Sequence, residues 1–459
     1  MDAAELVYSG VAAQARMIRD GEVSPTELVE ACLDRIAALD PRLNAWRVVL
    51  AERALTEATQ AEGRRGARDE RPLLGVPLAI KDDVRVAGTS TAWGSSAHGG
   101  EVADDAELVA RLRRAGAIVL GKTNVPEMTI WPFTESRTFG ITRNPWDPSR
   151  TTGGSSGGTA AAVASGMVGA GTGSDGGGSI RIPSAWCGVF GLKPSRDVVP
   201  IAPHADAWQG LSVNGFLTRS VADSALLLDA VCDRSFAGAA APPDRPLKVA
   251  LSYRRLPGAA PWPKLDPEIR AATEAMATLL RSLGHEVVAR EPDYGAGAFP
   301  QFLGRYLRGI KDDVDSMAHP DRLESRTLGM RRMGALWPAS RVAALRRGEA
   351  ALRDRIWASL QGADVLMTPA AATVAPPAGK WQGKGAFRTL NGVAGHVPYN
   401  PIFNATGQPA ASVPSGLSRQ GLPLAVQLVA PIGDDALLLS LAAQIEAAQP
   451  WAQRRPPVS

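Results

Sequence analysis

Apolar positions near the start of the chain recur at helical spacing. Leu28, Cys32, Leu33, Ile36 and Leu39 follow Ser24-Pro25-Thr26-Glu27, an N-cap serine, a proline at the first helical position and a capping-box glutamate. The pattern predicts a helix that stops at Asp40-Pro41, where proline removes a backbone donor. A second helical stretch is expected over 49–62. The period then changes from 3.6 to two: Val76, Leu78 and Ile80 alternate within 73–81, which reads as a buried strand ending in the charge of Lys81. A helix over 104–115 leads through Gly116 into a short apolar strand, 117–120. Further helices are expected at 221–231, 267–283, 341–360 and 434–447, and strands at 247–252, 286–289, 365–368 and 424–429. Such alternation belongs to the α/β class. The best linker candidate is 237–246, Ala-Gly-Ala-Ala-Ala-Pro-Pro-Asp-Arg-Pro.

Composition narrows the function. The 459 residues carry 50 Lys and Arg against 46 Asp and Glu, a net charge of +4, and 45% are hydrophobic, enough for a large core. Basic residues are interspersed with acidic ones, as in 104–114, so no stripe for nucleic acid forms. No run approaches the ~18 apolar residues of a membrane helix. The start, Met1-Asp2-Ala3-Ala4-Glu5, lacks the basic and apolar parts of a signal peptide, so a cytoplasmic protein is expected. The three cysteines, Cys32, Cys187 and Cys232, suit neither a disulfide framework nor a zinc site and read as small buried hydrophobes.

Between 151 and 178 the composition turns to glycine, serine and alanine, with a helical stretch, 159–168, between two glycine runs. Three glycine patterns compete there and nearby. Gly116 to Thr123 satisfies the phosphate-loop spacing, but its interior, Ala117-Ile118-Val119-Leu120, prefers a strand to a loop of amides. Gly171-Thr172-Gly173-Ser174-Asp175-Gly176 matches a dinucleotide fingerprint, yet it follows an expected helix where a strand is required. Gly153-Gly154-Ser155-Ser156-Gly157 contains a nucleophile-elbow pattern. An elbow needs a histidine, and none of His98, His204, His285, His319 or His396 lies in a context that singles it out.

A fourth possibility joins Ser155 to the second serine in a glycine setting, Gly176-Gly177-Gly178-Ser179. Consecutive glycines let backbone N–H groups converge on a developing oxyanion. A serine nucleophile needs a base, and Lys81, at the end of a buried strand, is the candidate. Lysine serves only when neutral, so its pKa must fall from ~10.4 through burial or a nearby cation. Asp82 and Asp83 follow directly, and a salt-bridged or snorkelling lysine is the competing explanation at this point.

The combination of motifs resembles the amidase signature family over most of the chain. The residues are Gly75-Val76-Pro77-Leu78-Ala79-Ile80-Lys81-Asp82, Gly121-Lys122-Thr123-Asn124-Val125-Pro126-Glu127, Asn144-Pro145-Trp146, Gly153 to Gly158, Asp175 to Pro183 and Gly191-Leu192-Lys193-Pro194. Asn404 to Ala410 and Gly421 to Gln427 add to them in the C-terminal part. The resemblance implies Ser179 as nucleophile, Ser155 as bridging serine after a cis Gly154-Ser155 peptide, and Lys81 as base. It implies an oxyanion hole at Gly176, Gly177 and Gly178, with Asp175 and Arg181 bracing that loop. Thr129, Ile130 and Trp131 are the expected acyl-pocket residues, and loops within 370–386 are expected to shape the same pocket.

The implied fold is a single large α/β domain over 1–459, a central mixed twisted sheet covered by helices. Its signature core spans about 73–231, 1–70 form a helical N-terminal region, and 247–459 complete the sheet and pocket. The 237–246 segment is then an internal excursion. Gly176 departs from the family, standing where many members carry a branched residue. The expected activity is hydrolysis of a small or extended carboxamide, with anilides, esters and carbamates (urethanes) open to the same acyl transfer. No metal or organic cofactor, nucleic acid or membrane is implied, and the expected state is a monomer or homodimer. A glutaminyl-tRNA amidotransferase-like subunit, an α/β-hydrolase using Ser155 and a catalytically silent binding protein are the alternatives.

Overall fold

The computed structural model describes residues 2–66, 70–258 and 262–459. The helix Pro25–Leu43 begins on the expected capping box: Ser24 Oγ accepts from the Glu27 N–H at 3.1 Å, and the Ser24 N–H donates to Glu27 Oε2 at 2.7 Å. It does not stop at Asp40-Pro41. Pro41 sits in the last turn, where its fixed φ is helical and only one hydrogen bond is forfeited. Leu43 is fully buried, and Asn44 closes the helix in a left-handed conformation with its N–H on the Asp40 carbonyl at 2.8 Å. The next helix is Ala51–Gly66, and Trp46–Val49 before it is a strand, so the N-terminal region is not wholly helical.

Eleven strands form one sheet. In chain order they are β1 (Trp46–Val49), β2 (Pro77–Lys81), β3 (Ile118–Thr123), β4 (Ala170–Asp175), β5 (Phe190–Lys193), β6 (Val213–Thr218), β7 (Lys248–Leu251), β8 (Glu286–Ala289), β9 (Val365–Pro369), β10 (Ala410–Leu417) and β11 (Pro423–Val429). Their spatial order is β1-β3-β2-β4-β6-β5-β10-β11-β9-β7-β8. β2 is parallel to β3 and β4, β7 is parallel to β8 and β9, and the remaining pairs are antiparallel. Because β2 and β4 are parallel neighbours, Lys81 and Asp175, their last residues, lie at the same end of the sheet's interior strands. Residues 237–246 hold no strand or helix, and the chain on either side returns to this sheet.

Glycine and proline account for the main departures from the sequence pattern. The strand expected from 73 begins only at Pro77, since Gly75 takes φ +77° and the Leu73 carbonyl accepts from the Val76 N–H in a turn. Gly171 and Gly173 follow a helix, as expected, and lie within β4. A β-carbon at Gly171 would meet Thr159 Cγ2 at 2.7 Å, so glycine here lets the all-small helix Gly157–Ala164 press against the sheet. The phosphate-loop pattern is strand β3, as its apolar interior predicts. The helix expected over 341–360 divides at Gly348 into Ala339–Arg347 and Glu349–Ser359. Among the described residues no helix is long and apolar enough to cross a membrane.

Candidate active site

Lys81 ends the buried strand β2 with a side chain that has no solvent exposure. Its Nζ lies 2.8 Å from Ser155 Oγ, 2.6 Å from Ser174 Oγ and 3.2 Å from Asp83 Oδ2. Burial pushes the Lys81 ammonium below its ordinary pKa, and the charge and hydrogen bond of Asp83, then the charge of Asp175, push back. The expected ambiguity over the two aspartates resolves unequally. Asp82 turns away to Lys122 Nζ at 2.8 Å and Arg47 Nε at 2.6 Å, whereas Asp83 faces Lys81.

Ser155 precedes the helix Gly157–Ala164, which packs on β2 and β4, and is 1% exposed. The Gly154–Ser155 peptide is cis. A side chain at Gly154 would meet the Trp131 carbonyl at 2.6 Å, so this loop lies directly against the 129–133 segment. The Ser156 N–H donates to the Ser179 carbonyl at 3.2 Å, and Ser156 Oγ donates to the Ser174 carbonyl at 3.3 Å. These two bonds couple the loops that carry Ser155 and Ser179.

Gly176 to Ser179 form the turn between β4 and the helix Arg181–Cys187. Asp175 fixes the turn: Oδ1 accepts from the Gly178 N–H at 2.6 Å and Oδ2 from the Ile180 N–H at 3.1 Å. The Gly178 N–H, expected in the oxyanion hole, is therefore committed to a carboxylate. The N–H groups of Gly176, Gly177 and Ser179 meet no acceptor among the described residues. Gly176 has its own reason to lack a side chain, since a β-carbon there would stand 2.6 Å from Trp208 Cε3.

Arg181 and Asp175 are both fully buried and pair through Nε–Oδ2 at 3.0 Å and Nη2–Oδ1 at 2.9 Å. Arg181 also donates to Asn404 Oδ1 at 2.7 Å, Gln427 Oε1 at 2.6 Å and the Asn400 carbonyl at 3.0 Å. Burial pulls the Asp175 pKa up, but the guanidinium beside it, with Lys193 and Asn404, holds the carboxyl well below the usual carboxylate range. Its charge is thus fixed across the working pH range.

Ser179 is half-buried and opens onto an apolar cavity of about 290 Å³. Thr129, Ile130 and Trp131 line it as expected, Trp131 stacking on Phe133 with ring centroids 5.8 Å apart. Met128 and Thr129 hold φ of +54° and +56°, a strained backbone for side chains of this kind. The opposite wall departs from expectation: it comes from the helices Ala298–Ser316 and Ala386–Ala394, not from loops within 370–386. The histidines lie elsewhere. His285 accepts from the Leu247 N–H at 3.0 Å, His396 sits between Thr373 and Lys380, and His204 meets Trp93 edge-on. Among the described residues no group of three or more His, Cys, Asp or Glu side chains could hold a metal ion.

Sequence reasoning missed Ser174, Asn404, Gln427 and Trp208, and it named Asp83 only as one of two possible ion-pair partners of Lys81. Ser174, Asn404 and Gln427 stand inside motifs that were legible, but their partners did not show. Nothing along the chain announces Trp208.

Comparison with known proteins gives consistent matches across the chain. The family model described as Amidase matches residues 27–439. The protein AmiB2 of Mycobacterium tuberculosis is 53% identical, with all of both chains covered. A 6-aminohexanoate-cyclic-dimer hydrolase of Paenarthrobacter ureafaciens is 34% identical over 98% of this chain and 97% of that one. The solved structure of 6-aminohexanoate cyclic dimer hydrolase with its substrate superimposes with a TM-score of 0.87 at 31% identity, covering 98% of this chain and 99% of that one. A bacterial aryl acylamidase structure superimposes at 0.84 with 25% identity, covering 99% and 97%.

Proposed function

Because the chain belongs to the amidase signature family and is an amidase, a hydrolase of carbon–nitrogen bonds, we propose that it cleaves carboxamides through an acyl-enzyme on Ser179. Ser155 relays the proton and Lys81 is the base. The observation that carries this reading is the 2.8 Å contact between Lys81 Nζ and Ser155 Oγ, away from water, with Ser179 on the adjoining turn and open to the cavity.

Neutral Lys81 accepts the Ser155 hydroxyl proton as Ser155 takes the proton of Ser179, whose Oγ attacks the amide carbonyl. The oxyanion that forms is met by backbone N–H groups of Gly176, Gly177 and Ser179, each donor worth ~3 kcal/mol. The relay then returns the proton to the amide nitrogen, so a neutral amine departs. Water, deprotonated through the same relay, attacks the acyl-enzyme, and Ser179 leaves as the hydroxyl. Asp175, anchored by Arg181, keeps the turn in register with the reacting carbonyl. The same acyl transfer opens anilides, esters and carbamates. A fluorophosphonate tests this directly. One adduct is expected on Ser179, absent from Ser179→Ala and formed far more slowly in Lys81→Ala. An adduct on Ser155 that survives Ser179→Ala would overturn the assignment.

A further inference from the structure

The cavity in front of Ser179 is apolar. Its wall includes Trp131, Phe299, Phe302, Leu303, Tyr306 and Met333, and among the described residues no Asp, Glu, Lys, Arg or His side chain lines it. Of its three polar aromatic tips two are occupied, and among the described residues the Trp131 indole N–H meets no acceptor. The Tyr306 hydroxyl donates to the Ile130 carbonyl, and the Trp208 indole N–H donates to Asp313 Oδ2 at 2.6 Å. Charge is gathered instead behind Trp208 and Thr129. These two residues also wall a smaller cavity of about 80 Å³ lined by Asp83, Arg85, His204, Asp206 and Asp313. Trp208 is pinned as the partition: its ring lies where a side chain at Gly176 would stand, and its backbone fills the space a β-carbon at Gly309 would need.

On the acyl-transfer reading above, we propose that this site takes neutral amides of apolar carboxylic acids, aryl or medium-chain alkyl, and rejects acyl groups bearing an ammonium or a carboxylate. An ionised group entering the cavity loses its water and finds no counter-ion, a desolvation loss that nothing offsets. An alkyl chain gains on entry, about fourfold in affinity for each methylene buried. At about 290 Å³ the cavity lies at the small end of ligand pockets, which run from ~300 to 1,000 Å³, so a short ring or chain fills it.

The decisive pair is heptanoyl and 6-aminohexanoyl p-nitroanilide, in which a terminal methyl is exchanged for an ammonium of nearly the same size. The kcat/KM is expected to rise from the acetyl through the butyryl to the heptanoyl anilide, and to fall about 100-fold or more at the 6-aminohexanoyl compound. The anilide of adipic acid, with a terminal carboxylate, should fall likewise. Leu303→Glu, which places a carboxylate on the partly exposed wall, should narrow the gap for the ammonium compound at least tenfold. A second readout needs neither turnover nor a variant: heptanamide should protect Ser179 from a fluorophosphonate, and 6-aminohexanamide should not. Comparable rates, or comparable protection, for the neutral and charged members would overturn the proposal and leave the acyl-enzyme standing. Full turnover of the heptanoyl anilide by Ser179→Ala would overturn the acyl-enzyme itself, and this proposal with it.

Discussion

Asp83→Asn separates the charge beside Lys81 from the hydrogen bonds around it. Asp83 Oδ2 is 3.2 Å from Lys81 Nζ with both side chains buried, and it also accepts from the Ser174 hydroxyl. Asparagine keeps an acceptor for Ser174 and removes the negative charge. At an effective dielectric constant near 20, a pair at this separation interacts by about 5 kcal/mol, an upper figure because the partners also exchange hydrogen bonds. Burial lowers the Lys81 pKa, while Asp83 and, from β4, Asp175 raise it. Only neutral Lys81 can take the relay proton, so activity is lost as pH falls through its pKa. Without Asp83 that pKa drops further and the base stays neutral in more acidic solution. The acidic limb of kcat/KM therefore moves to lower pH by about 1 to 3 pH units, the usual influence of an opposite charge within ~4–6 Å. The assay is a kcat/KM profile for one neutral anilide from about pH 5 to 10, wild type and variant side by side. A limb that stays in place, or moves to higher pH, would refute the assignment of Lys81 as the titrating base.

Three further outcomes are expected. Gly176→Ala pushes a methyl to within 2.6 Å of Trp208, an overpacking of ~1–3 kcal/mol on the catalytic turn, so kcat should fall about tenfold and recover in part when Trp208→Leu is added. Arg181→Met leaves the Asp175 carboxylate buried without its cation, a loss of ~3–5 kcal/mol, read as a lowered Tm and weaker urea resistance; unchanged values would mean Asp175 is held by its amide donors alone. Burial, helped by the charges of Lys380 and Arg255, lowers the His396 pKa to about 4. The unfolded chain therefore takes up this proton first, near pH 6.5, and stability falls between there and pH ~4 by up to about 3 kcal/mol. His396→Gln should lose less Tm than wild type between pH 7 and about 4.5, and an equal loss would show that other groups govern acid stability.

Local signals are reliable where they agree with packing. The helix Val221–Val231 and the strand Glu286–Ala289 are legible to the residue, the first because Ser220 caps it with a bond from the Asp223 N–H. Pro41 misleads because its punctuation value holds only when nothing outside the segment compensates, and Leu43 in the core does. The strand end and the glycine turns mark Lys81, Ser155 and Ser179 as candidates, and their expected roles come from the resemblance to the family. Their environment is another matter. Whether Asp82 or Asp83 faces Lys81 depends on the turn after β2. The partners of Arg181, Asn404 and Gln427, lie 223 and 246 residues away and arrive only when β10 and β11 close the sheet. The same holds for Gly176, which reads as one more flexible residue until Trp208 is seen lying on it. A glycine in the turn before Ser179 therefore records the shape of its neighbour as well as its own freedom, and here that neighbour divides a charged cavity from an apolar one. The partition between the two cavities thus rests on a pair of positions, 176 and 208, that no spacing rule connects.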